Sequence, residues 1–272
     1  MKKNSLISYI YIGLFAVILV LCIILLLQNQ SCGESGGIDS DDPIIYPSTQ
    51  AAAAPTAGTE PAGADTQTSE TPTEPEPYVS PIDWETLWEK NPEIYAWLYI
   101  PDTEISFPVC QRQGDDTYYL DHSAYLRDYR AGALFTESRY NDLSFDEPVT
   151  VIYGHKMRSG AMFGTLQTTF STEKGFAEHR EMIIYMPERE LHYTVWAAVP
   201  YENYHLMQTY DFENGRYMRM FIRSINEVRA IEAQLDESLE VTADDRLLVL
   251  STCLMGKVSK RYLVIGRLDA VK

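Results

Sequence analysis

Hydrophobic and polar positions divide this chain into three regimes. Residues 6–27 form an uncharged, mostly apolar run of 22. As a helix that is roughly 33 Å, long enough to span a bilayer. Residues 29–79 show no periodicity. From residue 80 onward, short apolar and β-branched segments alternate with turn residues. Ile82 to Glu89 reads as a short amphipathic helix with Asp83 or a neighbour as its cap, and Asn91 to Ile94 begins a turn. Eight strand-like segments follow: 95–100, 105–109, 133–136, 149–153, 182–186, 191–201, 246–253 and 261–268. Eight such runs in this length predict a mainly β fold, a closed β-barrel. One long helix interrupts them. Met218, Phe221, Ile222, Ile225, Val228, Ile231 and Leu235 recur at helical spacing, which predicts a helix over 214–235 packed on the barrel.

Composition sharpens this division. Lys2 and Lys3 precede the apolar run and acidic residues follow it, which predicts a cytoplasmic N-terminus and an extracellular remainder. The competing reading is a cleaved signal peptide, but its apolar region is usually only about 7–15 residues. Cys32 lacks the small apolar residues of a lipoprotein cleavage site before it. Seven of the fourteen prolines lie in 29–79, among Thr, Ala, Gly, Ser and Glu. That composition reads as an unfolded stalk with an end-to-end distance of roughly 40 Å. The expected organisation is a cytoplasmic N-terminus and transmembrane helix at 1–28, a stalk at 29–80 and a folded domain at 81–272. The net charge of −17 gives nucleic acid or an anionic lipid surface nothing to bind. Histidine-rich and Cys-x-x-Cys spacings are absent, so neither a metal nor another cofactor is expected.

Four cysteines do not make a disulfide framework. Cys22 lies in the apolar run, Cys32 in the stalk, and Cys110 ends a strand-like segment as a small core residue. Cys253 ends the run Leu248-Val249-Leu250-Ser251-Thr252, and Arg261 opens the next apolar run. Two antiparallel strands joined at that end bring thiol and guanidinium side by side, the setting of an activated cysteine nucleophile. The alternatives are a Cys110–Cys253 disulfide and, for Arg261, a plain ion pair at a strand start. A thiol nucleophile needs a base. Of the five histidines, His155 stands out because it follows the buried strand 149–153 and Gly154, which would let the chain turn sharply. His122, His179, His192 and His205 lie in turns, polar stretches or an alternating strand.

These segments resemble class B sortases. Val151-Ile152-Tyr153-Gly154-His155-Lys156-Met157-Arg158-Ser159-Gly160-Ala161-Met162-Phe163-Gly164 is similar to the histidine segment of that class, and Leu250-Ser251-Thr252-Cys253 with Arg261 to its cysteine–arginine signature. Asn91 to Thr103, Tyr118 to His122 and Ala131 to Phe135 are similar as well, so the resemblance covers nearly all of 82–268. It implies an eight-stranded barrel with N-terminal helices and a long helix between the sixth and seventh strands. It implies a membrane-anchored cysteine transpeptidase that cleaves a C-terminal sorting motif of secreted proteins and transfers the acyl group to an amine of a peptidoglycan precursor or a pilin. By residue match, Cys253 is the nucleophile, His155 the acid/base, and Arg261 the oxyanion and substrate clamp. Ser251 and Thr252 are candidates for substrate positioning. One departure is visible: the loop 254–260 carries two lysines and no acid, which excludes a carboxylate from that loop as an orienting partner for His155. A cysteine peptidase that only hydrolyses shares the same dyad, and a stalked surface-binding domain is the non-enzyme alternative.

Overall fold

The computed structural model describes residues 78–272. The apolar run 6–27, and the stalk as far as residue 77, lie outside the described residues. No helix among the described residues is long and apolar enough to cross a membrane. The Asp83 carboxylate accepts the Thr86 backbone N–H at 3.1 Å and caps α1 (Trp84–Lys90), which buries Trp84 and Leu87. One N-terminal helix is thus present among the described residues, where the family resemblance implied more than one.

All eight predicted strand segments form strands. In chain order these are β1 (Ile94–Tyr99), β2 (Ser106–Cys110), β3 (Leu134–Phe135), β4 (Val149–Tyr153), β5 (Glu181–Tyr185), β6 (Glu190–Glu202), β8 (Leu247–Leu254) and β9 (Lys257–Val271), with a two-residue β7 (Gln234–Leu235) between β6 and β8. They pair in the order β5-β1-β2-β3-β4-β8-β9-β6, and β6 returns to β5. The sheet therefore closes into an eight-stranded barrel with no free edge among those eight. β2–β3 and β4–β8 are parallel; the other barrel pairs are antiparallel.

Alternation on β8 shows why its sequence is a continuous apolar run. Leu248 and Leu250 point into the barrel with Ile152, Val195 and Val264. Leu247 and Val249 point outward and pack with α5 (Gly215–Asn226), through Met218, Phe221, Ile222 and Ile225. A strand covered on both faces has no polar side to show. Two short helices, α2 (Leu166–Phe170) and α3 (Glu173–Glu178), lie between β4 and β5, and α4 (Leu206–Thr209) precedes α5.

The helix predicted over 214–235 is shorter than its apolar spacing implied. Asn214 caps α5 by accepting the Arg216 N–H at 3.0 Å, and the helix ends at Asn226. Ile231 is 96% exposed, so it belongs to no apolar stripe. Gln234 and Leu235 instead pair with Ala198 and Ala197 of β6. The competing force is strand pairing. β5 covers that edge of β6 only as far as Thr194, and the edge beyond it takes β7.

Phe221 joins α5 to the barrel and is fully buried. Phe221→Ala is expected to lower unfolding stability by about 3–5 kcal/mol through lost burial and the cavity left behind, measured as a shift in urea midpoint with unchanged slope.

Candidate active site

Three neighbouring strands place the predicted site residues. β4 and β8 run parallel, with Val151 opposite Val249 and Tyr153 opposite Ser251. The Gly154 N–H donates to the Ser251 carbonyl at 3.2 Å and continues that pairing. Carrying the register one step further sets His155 level with Cys253. On its other edge β8 pairs antiparallel with β9, and Cys253 lies opposite Arg261. Side chains at 251, 253 and 261 share the outward face with Val249 and Leu263. Thiol and guanidinium meet there: Arg261 Nη1 lies 3.7 Å from Cys253 Sγ. The loop between β8 and β9 shrinks to Met255 and Gly256, because Leu254 pairs with Lys257.

Cys253 is half-buried and free, and Cys110 is buried and free, so the alternative disulfide between them does not form. Burial pushes the Cys110 thiol well above the ordinary range, which leaves it inert. Arg261 makes no ion pair among the described residues. Its Nε donates to Asn203 Oδ1 at 2.7 Å, and its Nη1 faces the thiol.

The His155 ring has a backbone carbonyl as its one hydrogen-bond partner among the described residues and no acidic one. Its Nε2 lies 2.8 Å from the Leu120 carbonyl. A carbonyl only accepts, so Nε2 carries a hydrogen and Nδ1 is the nitrogen left to exchange a proton. By contrast, His122 pairs with Asp121 and Asp128, His192 with Glu181 and Glu190, and His205 with Glu137. His179 packs on the Phe170 ring. Where the loop after Cys253 offers no carboxylate to His155, a backbone carbonyl from the turn Tyr118–Leu120 takes the orienting position.

Gly154 has an ordinary backbone conformation rather than the sharp turn expected of it. Its role is space: a Cβ there would sit 2.4 Å from Leu134 Cδ2 and 2.7 Å from Phe163 Cδ2. Phe163 in turn donates its N–H to the His155 carbonyl at 3.0 Å, so the histidine backbone is held from both sides.

A cavity of about 200 Å³ opens beside Arg261, lined by Tyr153, Asn203, Tyr204, His205 and Ser251 among others. Ser251 therefore faces the site. Thr252 alternates to the inner face and is fully buried, with a hydroxyl that has no partner among the described residues. Burial and the nearby Glu137 carboxylate push the Tyr153 hydroxyl up, so it stays neutral. Sequence reasoning missed Asn203, the Leu120 carbonyl and Tyr153. Only Tyr153 carried a signal, two residues before His155 and on the same strand face. Among the described residues no group of three or more His, Cys, Asp or Glu could hold a metal ion.

The profile described as Sortase domain matches residues 98–269. This chain belongs to the sortase family. Members of that family are cysteine transpeptidases. Sortase B of Listeria monocytogenes is 29% identical over 180 residues, covering 61% of this chain and 65% of the Listeria protein. Sortase B of Staphylococcus aureus is 26% identical over 195 residues, covering 69% of this chain and 75% of that protein. A crystal structure of a mutant form of Clostridium perfringens sortase B superposes with a TM-score of 0.61 at 22% identity, covering 69% of this chain and 86% of that one. The class B resemblance thus holds in sequence and in fold, and the matched sortase segment spans every residue of the strand-end site.

Gly132 tests the support under His155. It has φ +62, and a Cβ there would meet the Tyr119 and Leu120 carbonyl oxygens at 2.3 and 2.9 Å. Gly132→Ala is expected to displace the Leu120 carbonyl and lower stability by about 1–3 kcal/mol. The measurements are thermal unfolding and peptide turnover, with turnover falling even well below the melting temperature.

Proposed function

We propose that this chain is a cysteine transpeptidase that cleaves a sorting motif near the C-terminus of secreted proteins and joins the new acyl end to an amine. The observation that carries this reading is the cross-strand contact of Cys253 with Arg261, with His155 just beyond the end of the neighbouring strand β4. The Cys253 thiolate attacks a backbone carbonyl of the motif. Negative charge grows on the carbonyl oxygen, and Arg261 donates to it from a fixed, always-charged fork. The tetrahedral intermediate collapses when the C–N bond breaks, and His155 gives a proton from Nδ1 to the departing amine. A thioester remains on Cys253. An incoming amine attacks it, His155 takes the amine proton, and the C–S bond breaks to release an amide and the thiolate. The cavity beside Arg261 offers room for part of the motif. No cofactor enters these steps.

The location follows from the same reading. Residues 6–27 anchor the protein in the cytoplasmic membrane as a single span, the stalk carries the domain outward, and the catalytic domain works outside the cell. Its partners there are secreted proteins bearing a sorting motif and an amine acceptor of a peptidoglycan precursor or a pilin.

Mass spectrometry of sorting-motif peptides incubated with amine acceptors tests the chemistry. Cys253→Ala is expected to abolish cleavage and transfer, and His155→Ala to be nearly as damaging, while changes at His122, His179, His192 or His205 cost far less. Arg261→Lys is expected to keep the fold and lose roughly a hundred- to thousandfold in rate, the loss typical of one oxyanion donor. Products that carry water but never the amine would overturn transfer in favour of hydrolysis. Indispensability of another histidine would overturn the dyad.

Deletion of residues 6–27 is expected to move the protein from the membrane fraction to the soluble fraction and to reduce attachment of surface proteins in cells, because tethering raises effective concentration without a new contact. Fractionation and surface labelling at equal abundance measure both. Unchanged membrane association would sink the anchor assignment.

A further inference from the structure

The partner of Arg261 is an uncharged amide, although a carboxylate is the next residue along the chain. β6 and β9 are antiparallel, with Tyr201 opposite Arg261 and Glu202 opposite Lys260. Successive side chains on a strand point to opposite faces. Glu202 and Lys260 therefore share one face, and they pair there at 2.7 Å. Tyr201, Asn203 and Arg261 share the other face with Cys253. The pleat thus sorts the Glu202 carboxylate onto Lys260. It leaves Arg261 to the Asn203 side chain, whose Oδ1 accepts the Nε–H at 2.7 Å. Because a guanidinium only donates, the amide is oriented with its oxygen toward Arg261.

We propose that Asn203 is a positioning residue for the transpeptidation site: its amide oxygen aims the Arg261 guanidinium at Cys253 without neutralising it. The proposal rests on the reading of Cys253 and Arg261 given above and deepens it. Three atoms define the arrangement. Asn203 Oδ1 holds Nε, Nη1 faces Cys253 Sγ at 3.7 Å, and Nη2 has no hydrogen-bond partner among the described residues. Rotation about the last side-chain bond of Arg261 is what would carry Nη1 and Nη2 away from the thiol, and a bond to Nε blocks that rotation. A carboxylate at position 203 would hold the guanidinium as firmly. It would also place a negative charge against it, weakening the field that favours charge on the sulfur and on the oxyanion. Orientation with neutrality is what an uncharged acceptor such as the amide oxygen supplies and a carboxylate does not. The position is exposed, which limits the bond's strength but leaves the fold indifferent to its loss.

Alkylation of Cys253 by iodoacetamide reads this directly and needs no knowledge of the sorting motif. The full chain is used at neutral pH, and the peptide containing Cys253 is quantified by mass spectrometry so that Cys22, Cys32 and Cys110 do not contribute. Asn203→Leu is expected to slow alkylation about fivefold through lost aim, and Asn203→Asp about tenfold through added charge, a scale set by a partly solvated hydrogen bond to a charged group. Thermal midpoints stay unchanged. In an Arg261→Ala background the same two substitutions are expected to have no further effect, since their action passes through the guanidinium. Wild-type alkylation rates in both Asn203 variants, with Arg261→Ala slow, would overturn the positioning role and leave the site reading standing. Equal slowing by the Asn203 variants with and without Arg261 would overturn it too. A normal rate in Arg261→Ala itself would remove the site reading, and this proposal with it.

Discussion

β8 is hydrogen-bonded along both edges, in parallel to β4 and antiparallel to β9, and the site depends on that double pairing. A parallel pair sets the ends of two strands level, so the residue that follows β4 and the residue near the end of β8 come to one place. An antiparallel hairpin then returns the chain beside them. Register in a sheet is all-or-none, because a one-residue slip turns every side chain to the opposite face. The buried residues on both faces of β8 hold that register against slippage. Leu248 and Leu250 inside the barrel and Leu247 and Val249 beneath α5 are thus as much a part of the site's geometry as Cys253 itself.

Each of the two groups proposed to act with Cys253 is held by a neutral oxygen. His155 reaches a backbone carbonyl and Arg261 a side-chain amide, while the carboxylates nearby are taken up elsewhere: Glu202 by Lys260, Glu137 by His205. Neutral acceptors fix direction at little cost to the charge a group carries. The arrangement differs from a carboxylate-oriented histidine, in which an acid stabilises the imidazolium as well as aiming it. With a carbonyl instead, the positive charge shown beside the thiol is that of Arg261.

The strands were legible because a barrel strand buried on one or both faces needs apolar, β-branched residues in runs bounded by turn residues, and each of the eight runs had them. Cys253 and Arg261 were legible for the same reason, as the two sides of one hairpin. Where reading failed, a long-range competitor decided. The apolar spacing of Val228, Ile231 and Leu235 continues the helix on paper, but an uncovered stretch of β6 takes Gln234 and Leu235 into the sheet. Gly154 was expected to serve a turn, whereas Leu134 and Phe163, distant in sequence, demand the missing Cβ. Asn203 lies 58 residues from Arg261, in a polar loop with no local pattern. Only the β6–β9 register brings them together, and that register is a property of the closed barrel.

Exposure at the site bears on the choice between transfer and hydrolysis. Cys253 is half-buried and Asn203 exposed, so no described lid shields a thioester on that sulfur from water. Water is present at enormous excess over any amine. Transfer must therefore be favoured by holding the amine, oriented and unprotonated, at the acyl carbon, an advantage that proximity alone can raise by many orders of magnitude. The histidine is suited to this. With Nε2–H committed to the Leu120 carbonyl, Nδ1 is the nitrogen left to take a proton from an arriving nucleophile. The part of the surface that fixes the amine is consequently the feature that separates a transpeptidase from a peptidase on this scaffold, since nucleophile, base and guanidinium serve both reactions alike.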